Sequence, residues 1–145
     1  MTNLKHGLID RLHFPLVKKF YQAYYPSGKA NKADPIWVLR NTSKILVCLR
    51  LKQFDQCQLL TAMVTHPDFR QQGLGLNLLN RLILDTKQPL SNKPCYCFAF
   101  THLVSFYQQA QFKEIPPETL PAALKCRFNT YTQSGKSLTP MLYQP

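Results

Sequence analysis

Apolar runs separated by short polar turns dominate the first half of the chain. Three such runs cover residues 36–39, 45–51 and 59–65. Apolar runs of this length, joined by polar turns, predict three strands of an antiparallel meander. The third run is apolar on both of its faces, which is typical of a strand in the middle of a sheet.

Helical and extended patterns alternate outside the meander. The elements they predict are a short strand and a helix beginning near Pro15 within residues 4–25, a helix over 74–86 ended by Pro89, a buried strand over 95–100, helices over 103–110 and 120–128, and a last strand over 138–143. Because proline lacks a backbone N–H, Pro140 indicates that the last strand lies at an edge or a bulge.

This order of elements predicts an α/β (α+β) fold. Its sheet is mixed and mostly antiparallel, with helices on both faces and one parallel βαβ crossover from strand 59–65 through helix 74–86 to strand 95–100. The chain of 145 residues, 45% apolar and 17% charged, fits a single folded domain over 1–145.

Cysteine use and hydropathy indicate the compartment. No apolar run approaches the roughly 20 residues of a membrane span, and the charged first twenty residues do not resemble a signal peptide. We therefore expect a cytoplasmic protein with no membrane partner and with reduced thiols. Cys95 and Cys97 form a C-x-C pair on one face of a predicted strand. We interpret them as buried structural thiols and expect no metal site.

The main chemical signal lies in residues 63–76. A buried strand leads through a polar loop to Gly73 and Gly75, which flank Leu74 where a helix begins. Unpaired N–H groups at a helix start carry partial positive charge, and glycines let a phosphate approach them closely. Arg70 adds a fixed positive charge. The segment therefore predicts a pyrophosphate cradle, whereas Leu78 occupies the third glycine position of a dinucleotide-binding fingerprint.

Two motifs resemble those of the GNAT acetyltransferase family. Arg70-x-x-Gly73-x-Gly75 matches its Q/R-x-x-G-x-G/A signature, and the segment 106–112, FYQQAQF, is similar to its F-Y-x-x-x-G-F helix end. The resemblance covers about residues 59–115. It implies an N-acetyltransferase that moves an acetyl group from the co-substrate acetyl-CoA to a primary amine by direct attack.

The same resemblance implies residue roles. Tyr107 would be the general acid toward the departing thiolate, and Arg70 would stand at the rim of the pyrophosphate site. An N–H near Val64 would polarise the thioester carbonyl. The coenzyme-binding residues are the strand that pairs with pantetheine and the loop that cradles pyrophosphate: Met63, Val64 and Thr65, and Gln71, Gln72, Gly73, Leu74, Gly75 and Leu76.

Several positions depart from the family pattern. Gln111 stands where the family usually has glycine, and Phe100 where many members have asparagine. Neither predicted central strand contains a carboxylate. The general base is therefore left open between His66, His102 and water.

The acceptor is open as well: a small molecule or a peptide with a primary amine. The segments that would face it are Tyr21, Tyr24, Tyr25, Trp37 and residues 116–128, although core packing would also explain each of them. The balance of 18 basic to 7 acidic residues favours anions, including an acidic acceptor. Two alternatives remain: a non-catalytic acetyl-CoA-binding regulator and a nucleic-acid-associated protein.

Overall fold

Seven strands form one sheet in this computed structural model, which describes residues 3–145. The strands are β1 (Lys5–Leu8), β2 (Ile36–Arg40), β3 (Ile45–Gln53), β4 (Gln58–Thr65), β5 (Cys95–Phe100), β6 (Phe112–Glu114) and β7 (Leu138–Tyr143). The α-helices are α1 (Phe14–Tyr24), α2 (Leu74–Leu84), α3 (Val104–Gln108) and α4 (Ala122–Gln133). The order across the sheet is β1-β2-β3-β4-β5-β7-β6.

One pair of neighbouring strands is parallel. β4 and β5 run in the same direction and are joined through α2, while every other neighbouring pair is antiparallel. The predicted mixed α/β sheet with one βαβ crossover is therefore confirmed.

Both faces of the sheet are covered by helices, as expected. α2 and α3 bury leucines and aromatic residues, among them Leu78, Leu82 and Tyr107, against one face. α1 packs on the opposite face, against Val38 and Cys48. α4 covers the continuation of that second face, because Leu59, which packs with α4, pairs with Lys52, four residues along β3 from Cys48.

A bulge interrupts β4 at its centre. Pairing with β3 changes from Arg50 opposite Thr61 to Cys48 opposite Val64, so one extra residue of β4 lies between these pairs. Ala62, at the bulge, has a left-handed φ of 54°. The Tyr21 hydroxyl of α1 donates a 2.9 Å hydrogen bond to the Ala62 carbonyl and so ties the bulge to the helix.

The parallel strands separate soon after they meet. β4 and β5 pair only at Gln58 with Cys95, Leu59 with Tyr96 and Leu60 with Cys97, yet both strands continue beyond these pairs. The divergence leaves a gap between their carboxyl ends, which is where open α/β sheets commonly bind ligands.

The last strand contradicts one prediction. β7 lies between β5 and β6, so Pro140 is not on an edge strand and marks no bulge. The carbonyl of Pro140 accepts a hydrogen bond from the Ile115 N–H, just past the end of β6. The N–H that proline lacks would therefore have faced the β6 side, beyond the end of β6. The hydrogen bonds between β7 and β5 are not affected.

Other differences concern short elements. β6 was not predicted, because its three residues are too few for a periodic pattern. α2 ends at Leu84, before Pro89, because Asp85 turns to an extended conformation and its carboxylate accepts the Lys87 N–H. α4 begins after a 3-10 turn and continues to Gln133, five residues past its predicted end.

Candidate active site

A cavity of about 330 Å³ occupies the gap between β4 and β5. One part of its wall consists of Leu60, Met63, Cys97 and Tyr107, which belong to or pack against the core on the α2 and α3 face. The other part comes from the α1 and α4 face: Tyr25, Gly28, Arg50, Phe98, Tyr131 and Lys136. The cavity therefore has wall residues from both faces of the sheet, at the point where β4 and β5 separate.

The main chain of β4 is unpaired along part of this gap. The His66 N–H donates to the Leu46 carbonyl of β3 at 2.7 Å. Because ladder bonds alternate along an antiparallel strand, the N–H of Val64 is also directed at β3, and that of Thr65 is directed away. Met63 belongs to the bulge, where Leu49 directs its own backbone groups to β2. Met63 and Thr65 therefore present their N–H groups outside the ladder.

Beyond β4, the chain has a run of consecutive main-chain N–H groups that are free. Gln71 and Gly73 have left-handed φ values of 62° and 74°. Within residues 3–145, no main-chain N–H from 71 to 76 donates a hydrogen bond, and the Asn77 N–H makes the first helical bond, to the Gly73 carbonyl at 3.0 Å. Six consecutive donors at the start of an eleven-residue helix fit a diphosphate.

Gly75 brings this helix start against the gap. A Cβ atom at Gly75 would lie 3.2 Å from Cζ of Phe106 in α3 and 3.3 Å from Cε of Met63 in β4. These distances are shorter than ordinary carbon contacts. A side chain at this position would displace the ends of the Phe106 and Met63 side chains, and glycine lets the start of α2 lie close to both.

Arg70 lies beside the same strand. Its Nε donates to the Thr65 carbonyl at 3.2 Å, and its side chain is exposed. The guanidinium is therefore held at the end of β4, next in the chain to the free N–H groups of residues 71–76.

Tyr107 reaches the cavity from α3. Its side chain is 8% exposed, and its ring packs edge-on against Phe106 and Phe112 with centroids 5.1 and 5.9 Å away. Burial raises the pKa of Tyr107, and the neighbouring Cys97 acts in the same direction. The phenol thus keeps its proton throughout the neutral range, as a proton donor must, although the raised pKa also makes it a weaker acid.

Cys97 lies beside this phenol. Burial raises the pKa of the Cys97 thiol to about 12, although the Tyr107 hydroxyl acts in the opposite direction. A protonated thiol is a poor nucleophile, so this thiol is poorly suited to carry an acyl group at neutral pH. All five cysteines are free, and four of them are buried, in agreement with the structural interpretation.

Neither candidate histidine lines the cavity. His66 is 8% exposed; its Nδ1 accepts the Asp68 N–H, and its Nε2 contacts the Tyr24 hydroxyl at 3.1 Å. Both ring nitrogens are engaged, so His66 caps a turn and holds α1. His102 is exposed and stacks on Phe100, with centroids 5.9 Å apart. Neither imidazole is therefore placed to take a proton from a group bound in the cavity.

The predicted acceptor-side residues divide into two groups. Tyr25 lines the cavity, whereas Tyr21 and Tyr24 are engaged with the bulge and with His66. Trp37 stacks with His6 away from the cavity, and residues 116–128 do not reach it. Phe100 does line it, and Gln111 adopts a left-handed φ of 69° where the family has glycine.

Sequence reasoning missed Arg50, Tyr131 and Lys136. One signal was present for Arg50: it is a charged residue inside the apolar run 45–51. Tyr131 and Lys136 come from the end of α4 and the following turn, which no motif marks.

Within residues 3–145, no three His, Cys, Asp or Glu side chains are grouped as metal ligands, and no helix is long and apolar enough to span a membrane.

Comparisons with known proteins agree with this geometry. A family described as "Acetyltransferase (GNAT) domain" matches residues 32–114, more than half of the chain. Comparison with curated proteins returned no match.

Solved structures share the fold at low identity. N-acetylglutamate synthase from Neisseria gonorrhoeae, complexed with coenzyme A and N-acetyl-glutamate, aligns at 13% identity and a TM-score of 0.68, over 100% of this chain and 36% of that one. The ribosomal-protein-S18-alanine N-acetyltransferase from Escherichia coli gives 13% identity and 0.63, over 97% and 91%. An acyl-CoA N-acyltransferase from Pseudomonas aeruginosa gives 14% and 0.62, over 99% and 100%. The chain spans about a third of the synthase's length.

Proposed function

The chain belongs to the GNAT acetyltransferase family, and we propose that it transfers an acetyl group from acetyl-CoA to a primary amine by direct attack. The observation that carries this proposal is the gap through the sheet. Free main-chain N–H groups flank it on one side, and the buried acid Tyr107 lies within its wall.

Residues of β4 bind the pantetheine arm in this proposal. Beyond Leu60, β4 has no strand partner on its β5 side, so an extended chain bearing amide groups fits there as a substitute strand. Met63 and Thr65 supply the N–H groups that face it, and Val64 lies between them as the residue bonded to β3. In this proposal the N–H of Met63, within the bulge, polarises the thioester carbonyl.

The loop after β4 binds the pyrophosphate. The six N–H groups of residues 71–76 donate to its oxygens, at the positive end of the α2 dipole. Arg70 adds a charge-assisted contact, for which its guanidinium turns from the Thr65 carbonyl to the phosphate. The side chains of Gln72, Leu74 and Leu76 contribute no charge, so the main chain determines this part of the site.

Transfer then needs no covalent intermediate on the protein. The neutral amine attacks the thioester carbon, the new C–N bond forms, and the C–S bond breaks. Tyr107 gives its proton to the departing sulfur and regains one from solvent. The ammonium proton of the attacking nitrogen leaves to water, because no carboxylate or histidine lines the cavity.

The experiment that tests this function measures two quantities on one protein. Calorimetry with acetyl-CoA measures binding, and mass spectrometry of an amine panel measures transfer. Binding without any transfer would reject the enzyme and favour the non-catalytic regulator, an alternative that the lack of a base in the cavity supports. Failure to bind acetyl-CoA would reject both.

A further inference from the structure

Arg50 occupies an unusual position for a charged residue. It lies in β3, the third strand of seven, on the same face as the fully buried Cys48. Its side chain is only 14% exposed, and it lines the cavity. Burying a guanidinium costs free energy that an apolar residue would not cost, so its presence calls for a partner at this place.

The partners within the protein do not saturate this guanidinium. One Nη donates to the Lys29 carbonyl. The Asp34 carboxylate is near, but its Oδ2 lies 3.8 Å from Arg50 Nε. Both of these atoms are buried and lack a hydrogen-bond partner among the described residues. Asp34 thus offsets part of the charge and leaves donors of the planar fork for another acceptor.

Lys136 adds a second cation to the same cavity. It follows α4, and its Nζ lies 5.1 Å from the centroid of the Tyr131 ring, which also lines the cavity. No aspartate or glutamate is among the lining residues. The α1 and α4 side of the cavity therefore has a positive potential, and a low-polarity wall strengthens it.

We infer that the acceptor is a small primary amine that also carries an oxyanion, either a carboxylate or a phosphate. Arg50 and Lys136 bind the oxyanion on the α1 and α4 side, and the amine extends through the gap to the thioester near Met63 and Tyr107. This inference rests on the proposed function. The cavity of about 330 Å³ has to hold the thioester end of the coenzyme as well as the acceptor, which favours an acceptor of amino-acid size.

The positive potential also selects among acceptors. A dicationic amine would gain nothing from the site, because its second ammonium would meet the same cations.

The first test uses calorimetry to measure how tightly small probes bind to the protein saturated with coenzyme A. The probes are matched pairs: β-alanine with β-alaninamide, glutamate with its diamide, and phosphoethanolamine with ethanolamine. We expect each anionic member to bind about tenfold or more tightly than its neutral partner. The two anion types separate carboxylate from phosphate. Equal binding within all pairs, or none at about 10 mM, would overturn the inference.

Variants then locate the oxyanion. Lys136→Gln should weaken binding of the anionic probes about tenfold and leave the neutral probes unchanged. Lys125→Gln, an exposed lysine on α4 outside the cavity, removes the same charge and serves as the control. If both variants behave as wild type, Lys136 does not bind the acceptor and the inference fails.

Arg50 needs a paired design, because its loss alone would leave Asp34 buried without a cation. The double variant Arg50→Gln, Asp34→Asn removes both charges and should lose affinity for anionic probes while acetyl-CoA still binds. Unchanged affinity for those probes would overturn the role of Arg50. Transfer is scored separately: anion binding without acetylation rejects only the proposed function, and acetylation indifferent to the anion rejects only this inference.

Discussion

Replacing Tyr107 by phenylalanine removes one buried oxygen from the wall of the gap and keeps the aromatic ring. The contacts with Phe106 and Phe112 are retained, because they involve ring carbons at centroid distances of 5.1 and 5.9 Å. Loss of the contact between the phenol and Cys97 should change stability by about 0.5–1.5 kcal/mol, the net value of one hydrogen bond. Folding and acetyl-CoA affinity should therefore be close to wild type.

Turnover should fall much more than stability. General acid catalysis contributes roughly 10²–10⁴-fold. A thiol with an ordinary pKa of about 8.5 leaves fairly readily without a proton, so we expect the lower end, about 10². This corresponds to roughly 2.7 kcal/mol of transition-state stabilisation. The effect should appear in kcat and leave KM for acetyl-CoA unchanged, because the phenol acts only as the C–S bond breaks.

The assay must avoid the protein's own thiols. Cys126 is exposed and would react with a chromogenic disulfide, so the acetylated amine should be quantified by mass spectrometry. Tyr143→Phe is the matched control, since that ring packs on Phe112 at 5.5 Å and does not line the cavity. Turnover of Tyr107→Phe within twofold of the control would refute the assignment of Tyr107 as the acid.

Three further outcomes test the other parts of the site. Gly75→Ala should weaken acetyl-CoA binding about tenfold in calorimetry, because its Cβ would press on Phe106 and Met63; unchanged affinity would contradict the close approach. Arg70→Ala should cost about 1–3 kcal/mol of binding at low salt, and no loss would remove Arg70 from the phosphate site. kcat/KM should rise with pH until the pH reaches the pKa of the acceptor amine, and it should show no inflection near 6.5. An inflection near 6.5 would indicate a histidine base.

The sheet was largely predictable because its signals are local. The apolar runs of β3, β4 and β5 each match a predicted strand within two residues at each end. The bulge was not predictable, since one extra residue within an apolar run changes no periodicity. The position of Pro140 also depends on pairing: the proline is harmless inside the sheet only because β6 ends beside it.

The site divides in the same way. Its glycines lie in one short segment, and the loop from Gln71 has the left-handed backbone that a glycine motif suggests. The engagement of both ring nitrogens of His66 could not be read from the sequence, because its partner Tyr24 lies 42 residues away. Arg50 and Lys136 meet at one cavity only after α4 has packed on the sheet.

The short pairing between β4 and β5 makes the boundary between these two strands a weak place in the sheet. Within residues 3–145, only three residue pairs join the meander of β1 to β4 to the unit of β5, β7 and β6 by strand pairing, although one apolar core beneath α2 contacts both halves. Thermal motion should therefore separate β4 from β5 first, and within the sheet amide hydrogen exchange should be fastest along these two strands. A ligand lying in the gap would contact both halves of the sheet and hold them together. Its concentration, and not the protein's own contacts alone, would then determine how long the two halves of the sheet remain one body.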